Sequence, residues 1–400
     1  MKKDLNVLVI APFYDIFPFV GDLIDATAKY VSSIDVLIHH NYLAELAPYI
    51  PFSYFRWVEK FTKKNIAGLR SKPSNVKVHV LSTLYLMPDG RNRGLGDKLY
   101  KKFSEYIKKQ GLTFDIIHAH VHWPQGYVAV KLGKEFNVPV VVTVHANRTK
   151  LEESIEWNRK DILFVFKNAD ALIRVNKADI EFLKNLGAKR VYGIPNGFNP
   201  AKFPFLPKDF ARKELGLPLD KKIILNVAVL KPWKGHKYLI EAVDVLREKI
   251  PDILCYIGSN GPLYDYLRRL IEKKGLEENV KLLGYIPDEK LPLWMNAADL
   301  FVLPSLNEGN PTVMFEALGV GLPFVGTTVG GVPEVITSED YGLLCKPGDP
   351  QDLAEKILIA LERNWDRDKI RKYAEQFTWE NIAKRVVNVY EEVLEETRKT

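Results

Sequence analysis

The feature that most constrains this chain is that one pattern occurs in it twice. Short runs rich in valine, isoleucine and leucine alternate with stretches of helical periodicity, pause at "IPNGFNPAKFPFLPKD", and begin again. Alternation of this kind marks βαβ units, in which a helical crossover returns each strand parallel to the one before. In the first half it predicts strands at 6–11, 35–39, 77–81, 115–119, 138–144, 171–175 and 190–194. In the second half it predicts them at 223–229, 254–258, 280–283, 300–304, 323–327 and 342–345. Continuous apolar runs, as opposed to strict alternation, indicate strands covered on both faces, as parallel sheets require. The predicted fold class is α/β, with two Rossmann-like, doubly wound domains facing a cleft. Their extents are 1–195 and 196–376, and an amphipathic helix within 377–400 is expected to return to the first domain. Sheets of this type take ligands beyond the carboxyl ends of their strands.

Composition narrows the classes. The chain has 400 residues, 46% hydrophobic and 27% charged, as expected of a soluble globular protein. No apolar run approaches the ~20 residues that span a bilayer. The start, "MKKDLNVLVIAP", has too short an apolar run for a secretory leader and reads as a first strand. Two cysteines, Cys255 and Cys345, build no disulfide framework, so buried thiols and a cytoplasmic location are expected. Charge is uneven. Residues 52–109 hold 14 basic and 4 acidic side chains, against a net charge of +7 for the whole chain.

One stretch, "SLNEGNPTVMFEALGVGLPFVGTTVGG", places Glu308 and Glu316 eight positions apart. Pro311 suits a first helical turn and Asn310 suits its cap, which predicts a helix from about Asn310 with Glu308 in the loop before it. Glu316 then lies about two turns inside. Eight residues of one helix rise roughly 12 Å, whereas paired carboxyls of a retaining glycosidase stand about 5 Å apart. Two separate jobs fit better: one extended ligand laid across a helix N-terminus, where free N–H groups and the dipole favour phosphate. A sugar, a diphosphate and a nucleoside joined in line has that form.

The same residues resemble a family. "NEGNPTVMFEALGVGLPFVGTTVGGVPEVI" is similar to the glutamate, seven residues, glutamate motif of family 4 retaining glycosyltransferases and the Gly-Gly-x-Pro-Glu after it. "IPNGFNPAKF", "IGSNGPLYDYLRRL", "LGYIPDEKLPLWMNAADLFVLPS" and "FTWENIAKRVVNVY" resemble further segments of these enzymes, in the same order. The first half matches best at "DIIHAHVHWPQG" and "VVVTVHANR". The resemblance implies a GT-B architecture, with a nucleotide-sugar donor held mainly by the second domain. By it, Glu316 holds the ribose hydroxyls and Glu308 lies near the donor sugar. The backbone of Gly309, Asn310, Pro311 and Thr312 meets sugar hydroxyls and phosphate, and Lys234 meets the diphosphate. His145 lies beside the reacting sugar carbon, and the main chain at Gly284, Tyr285 and Ile286 meets the base.

Two departures stand out. The family usually carries Gly-Arg where Ala228-Val229 stands, so Lys231 is the expected substitute as a phosphate partner, without arginine's fork. The first loop offers only Gly21 where family members often have Gly-Gly. His118, His120 and His122 would share one face of a strand, as a metal site might require, but the family uses no catalytic metal and none is expected here. No cofactor is expected either, since the nucleotide sugar is a co-substrate. The basic segment 52–109 fits a helix on an anionic membrane surface, recognition of a phosphate- or lipid-linked acceptor, or a solvated face. Nothing resembles a nucleic-acid module. The function expected is transfer of a hexose from a nucleotide-diphosphate sugar to a glycan, lipid-linked or small-molecule acceptor. A sugar phosphorylase and a non-catalytic nucleotide-sugar binding protein are the alternatives. No Gly-x-Gly-x-x-Gly follows the first strand of either half, which argues against a dinucleotide enzyme.

Overall fold

The computed structural model describes residues 3–16, 18–49, 58, 60–85, 92 and 94–399. Of the basic segment, residues 52–57, 59, 86–91 and 93 lie outside the described residues. The chain divides into two compact units, residues 1–195 with 379–400, and residues 196–378.

In the first unit the described residues form a seven-stranded sheet in the order β3-β2-β1-β4-β5-β6-β7. The strands are β1 Lys3–Ala11, β2 Val31–Asn41, β3 Val76–Thr83, β4 Ile116–His120, β5 Val140–Val144, β6 Ala171–Arg174 and β7 Val191–Gly193. Every neighbouring pair runs parallel. β4 and β5 are buried at every position while the edge strand β7 is not, which is why the central runs are apolar without interruption. The order of strands reverses between β1 and β4, so the loops after these two strands flank the crevice where such sheets bind ligands.

The C-terminal helix Trp379–Lys399 belongs to this unit. Trp379, Ile382, Ala383, Val386, Tyr390 and Val393 recur at helical spacing and join a core with Val7, Val9 and Ile24. Burying those side chains contributes on the order of 10 kcal/mol before the cost of ordering the chain. Among the described residues no helix is long and apolar enough to cross a membrane.

The second unit has a six-stranded parallel sheet, β10-β9-β8-β11-β12-β13. Its strands are β8 Ile223–Val227, β9 Leu254–Gly258, β10 Val280–Gly284, β11 Leu300–Leu303, β12 Phe324–Thr327 and β13 Gly342–Cys345. Here the order reverses between β8 and β11. Cys255 and Cys345 are buried free thiols in one apolar cluster. The ends of the unit meet: Phe198 pairs with Thr378 in an isolated bridge, and its N–H donates to the Phe377 carbonyl at 3.1 Å.

Candidate active site

In the second unit Lys231, Lys234 and Glu308 follow β8 and β11, at the reversal of strand order, while Gly284, Tyr285 and Ile286 follow the edge strand β10. After β8 the chain makes a short turn, Pro232–Lys234, and enters the helix His236–Leu246 through Gly235. Gly235 has φ +70°, and a Cβ there would stand 1.9 Å from the Pro304 carbonyl oxygen, so only glycine lets this turn close on the end of β11. The Leu306 N–H donates to the Trp233 carbonyl at 2.7 Å and fastens the two loops together. Across this seam Lys234 Nζ donates to Glu308 Oε1 at 2.6 Å, and Ser305 Oγ donates to the same oxygen at 2.7 Å. Glu308 is buried, at 7% exposure, and Lys234 nearly so. Thr327 Oγ1 ties the Ser305 carbonyl to the end of β12. Behind the loop, Gly330 at φ +53° passes so close that a Cβ would meet the Glu308 carbonyl at 2.2 Å.

The helix after Glu308 runs Thr312–Gly319, later than expected. Pro311 stands at its cap, outside the first turn, and Asn310 does not cap it. Asn310 Oδ1 instead accepts the Asn196 N–H, and Asn196 Nδ2 donates to the Asn310 carbonyl, both at 2.7 Å. This reciprocal pair consumes the cap's acceptor and leaves Asn310 Nδ2 buried with no partner. Glu316 is consequently the fifth residue of an eight-residue helix, about one turn inside instead of two, and half-buried.

Lys231 lies with its ammonium 4.9 Å from the Trp233 ring centroid, a cation–π contact. Val229, at the position of the family's usual arginine, is 38% exposed. The turn at Gly284 is held by Ser259, whose N–H donates to the Gly284 carbonyl at 2.7 Å. Ile286 packs on Gly258 so closely that a Cβ there would overlap it, while Tyr285 is exposed. His236 is buried with Nε2 on the Ala228 carbonyl at 3.2 Å, and burial brings its pKa down to about 4.

In the first unit His118 and His120 share a face of β4, their ring centroids 4.3 Å apart. His122 does not share it, because β4 ends at His120 and Val121 turns the chain with φ +81°. Both ring nitrogens of His118 are engaged, Nδ1 with Tyr390 Oη at 2.6 Å and Nε2 with Thr143 Oγ1 at 2.7 Å. His122 Nε2 meets Ser154 Oγ at 2.6 Å. Among the described residues no group of three or more His, Cys, Asp or Glu is arranged to hold a metal ion.

His145 follows β5, stacked on His120 with Nε2 3.1 Å from His120 Nδ1. Its Nδ1 is buried and has no partner. Burial, then the neighbouring charges, pushes its pKa well below the usual range, and burial alone brings His120 to about 3. Both rings are neutral at physiological pH, and one of the two facing nitrogens donates to the other. Gly21 lies within the helix Pro18–Thr27, where a Cβ would meet the Tyr14 carbonyl at 2.3 Å and Arg70 Nη1 at 2.4 Å.

Sequence reasoning missed the groups that hold these side chains in place. Arg174 is fully buried and its Nη1 donates to the Val144 and Ala146 carbonyls, at 2.7 and 2.6 Å, on either side of His145. Asp179 balances it, with Oδ2 2.5 Å from Nη2. Burial works to raise the Asp179 pKa, but the hydrogen bond and charge of Arg174 outweigh it and hold the carboxyl below its ordinary range. A charged residue inside the apolar run "ADALIRV" was the available signal. Asn196 gave none.

Two parallel doubly wound sheets, each with a reversal in the order of its strands, define an α/β architecture of two Rossmann-like domains, and comparison with known proteins makes the class specific. The model for glycosyl transferases group 1 matches residues 207–377, and that for glycosyltransferase family 4 matches residues 61–202. An uncharacterized glycosyltransferase of Methanocaldococcus jannaschii is 30% identical over 313 residues, covering 73% of this chain and 80% of the relative. A D-inositol 3-phosphate glycosyltransferase of Corynebacterium urealyticum is 31% identical over 71% of this chain and 73% of its own. Sucrose-phosphate synthase from Thermosynechococcus elongatus superposes with a TM-score of 0.75 at 23% identity, over 98% of this chain and all of the other. Anabaena HepE, solved in complex with UDP-glucose, gives 0.68 at 21% identity, over 99% of this chain and all of the other. The molecule is a glycosyltransferase of GT-B architecture. The chain belongs to glycosyltransferase family 4.

Proposed function

We propose that the chain transfers a hexose from a nucleoside-diphosphate sugar to an acceptor hydroxyl, with retention at the anomeric carbon and without a metal. The observation that carries this is the Lys234–Glu308 pair beyond β8 and β11, beside the head of the helix Thr312–Gly319. Lys234 supplies the fixed cation that a leaving diphosphate needs as its charge grows. The helix N-terminus adds N–H groups and dipole without a metal ion. Asn310 Nδ2, buried and unpartnered, supplies a further donor. Glu316 takes the ribose hydroxyls, since one carboxylate accepts two donors. Lys231 assists the diphosphate as a point charge, and the main chain at Gly284, Tyr285 and Ile286 meets the base. A nucleotide-sugar donor is also in keeping with the UDP-glucose complex of the structural neighbour.

In this reading the bond between the anomeric carbon and the diphosphate oxygen breaks as the acceptor oxygen bonds to the same face. The acceptor's proton passes to the departing phosphate oxygen, so no protein base is required. His145, neutral, contributes a hydrogen bond to a sugar hydroxyl and does not carry the proton. The enzyme works in the cytoplasm, on a glycan, lipid-linked or small acceptor. Gly21 meets the donor from the first unit through its backbone, at a position where the Tyr14 carbonyl and Arg70 leave no room for a side chain.

Thermal-shift binding of UDP, GDP and ADP to wild type and to Glu316→Ala tests the donor site. One base should be preferred, and a ligand at ~100 Kd should stabilise by roughly 2.7 kcal/mol. No shift with any nucleotide would remove the donor reading and favour a phosphorylase. Binding without turnover on any acceptor would favour a carrier.

A further inference from the structure

Beyond β3, at the edge of the first unit's sheet, lies a groove of about 390 Å³ between the strand end and the helix Leu95–Gln110. It is lined by Ser82, Thr83 and Leu84 on one side and by Lys98, Lys101, Lys102 and Glu105 on the other, with Tyr42 at its margin. The four helix residues are at i, i+3, i+4 and i+7, one face of the helix, while Leu95, Leu99, Phe103 and Ile107 bury the opposite face. Three ammonium groups crowded onto one face disfavour the helix unless something negative answers them.

The protein answers them poorly. Lys98 Nζ donates to the Leu84 carbonyl at 2.6 Å, and Lys102 Nζ donates to the Ser82 carbonyl. Each bond uses one of three ammonium hydrogens and meets a neutral acceptor. Among the described residues no carboxylate stands at ion-pair distance from Lys98, Lys101 or Lys102, and the nearest answer is the charge of Asp97, which Lys101 feels while Asp97 itself bonds Lys131. Elsewhere on the same helix Lys108 pairs with Glu135 at 2.5 Å, and Asp97 pairs with Lys131 at 2.8 Å. The one carboxylate in the groove, Glu105, leaves it a net charge of +2. Between the two lysine-bound carbonyls stands Thr83, 4% exposed, whose hydroxyl oxygen is buried and has no hydrogen-bond partner. A buried hydroxyl without a partner costs stability, and Thr83 lines the groove together with the three lysines.

We infer that this groove binds a phosphate group: a phosphate carried by the acceptor, met by the Thr83 hydroxyl and by Lys98, Lys101 and Lys102. The assignment to the acceptor rests on the proposed function, which gives the donor to the second unit. The anion site itself stands on the groove alone. A soluble phosphate ester and a phospholipid headgroup present the same chemistry, and they can be told apart.

Full-length protein held in excess UDP, which occupies the donor site, is titrated calorimetrically with inorganic phosphate, glucose 6-phosphate and glucose. It is also sedimented with phosphatidylcholine vesicles, with and without phosphatidylinositol. Phosphate or its ester should bind and glucose alone should not. Affinity should fall about tenfold in Thr83→Val, the effect of one hydrogen bond to a charged group. It should fall a few-fold in Lys101→Gln, an exposed change that threatens no packing. Preference for glucose 6-phosphate identifies a soluble ester, and vesicle binding that Thr83→Val abolishes identifies a headgroup. Absence of binding by every probe, or binding that both variants leave unchanged, overturns the site. Vesicle binding that responds to the lysine change and ignores Thr83→Val is unspecific attraction and also overturns it. Should UDP fail to bind, the donor reading and the word acceptor fall, while loss of phosphate binding in Thr83→Val would still establish the anion site.

Discussion

Arg174 holds His145 through the two carbonyls that flank it, those of Val144 and Ala146, with one nitrogen donating to both. The loop that follows β5 is thereby fixed from beneath by a buried charge. That charge is tolerated because Asp179 lies against it.

Replacing Arg174 by methionine should therefore do two separable things. It leaves Asp179 with weaker partners in a buried setting, and removal of one member of a buried pair costs about 3 kcal/mol. Urea unfolding should show that loss, while the Arg174→Met/Asp179→Asn double variant should recover part of it. The recovered protein should still turn over slowly, since the carbonyls beside His145 remain unheld, and kcat should fall more than KM rises.

The Lys234–Glu308 pair makes a second prediction. Lys234→Met leaves a buried carboxylate with the Ser305 hydroxyl still donating to it, and should destabilise the second unit by about 3 kcal/mol. Glu308→Gln should cost less. A double-mutant cycle on unfolding should give a coupling of about 1–3 kcal/mol. Strict additivity would mean that the pair holds nothing together.

Acid should unfold the protein through its histidines. His120 is held at about 3, and His122 and His236 at about 4, by burial, whereas an unfolded histidine titrates near 6.5. Between these values the unfolded chain binds more protons than the native one, so stability rises with pH across the window. It is complete above about pH 6.5 and is lost progressively as pH falls toward 4. Each such histidine contributes a slope of up to about 1.4 kcal/mol per pH unit. Denaturant titrations from pH 7 to pH 4 should show this, with a shallower slope in His122→Gln.

Gly235→Ala tests the seam between the loops. The new methyl would stand against the Pro304 carbonyl, on a backbone at φ +70°. The left-handed conformation alone costs a side chain about 1–2 kcal/mol. A lower unfolding midpoint is expected, with loss of nucleotide stabilisation because Lys234 precedes this glycine. Wild-type nucleotide binding in the variant would show that the turn does not position the lysine.

Every predicted strand is present within a few residues of its place. A strand buried on both faces must be written as an apolar run, and no other pattern serves. The seams of the site were less legible. The sequence suggests a cap at Asn310, but its side chain bonds Asn196, 114 positions earlier, a partner that no local spacing reveals. Histidines at 118, 120 and 122 alternate as on a strand, yet Val121 takes a positive φ that valine rarely adopts, and the third leaves the face. Lys234 and Glu308 were each singled out, for different tasks. That they face one another follows from the adjacency of β8 and β11, which is a property of topology.

The helix Trp379–Lys399 has a consequence for how the molecule comes into being. Trp379, Val386 and Tyr390 complete a core whose other members, Val7, Val9 and Ile24, are made first. The unit that begins the chain must wait for residues 379–399 to leave the ribosome before its interior is closed. The second unit, spanning 196–378 with its ends clasped at Phe198 and Thr378, can finish earlier and alone. Along the chain it interrupts the first. A stop codon at 379 would spare the inserted unit and leave the surrounding one open.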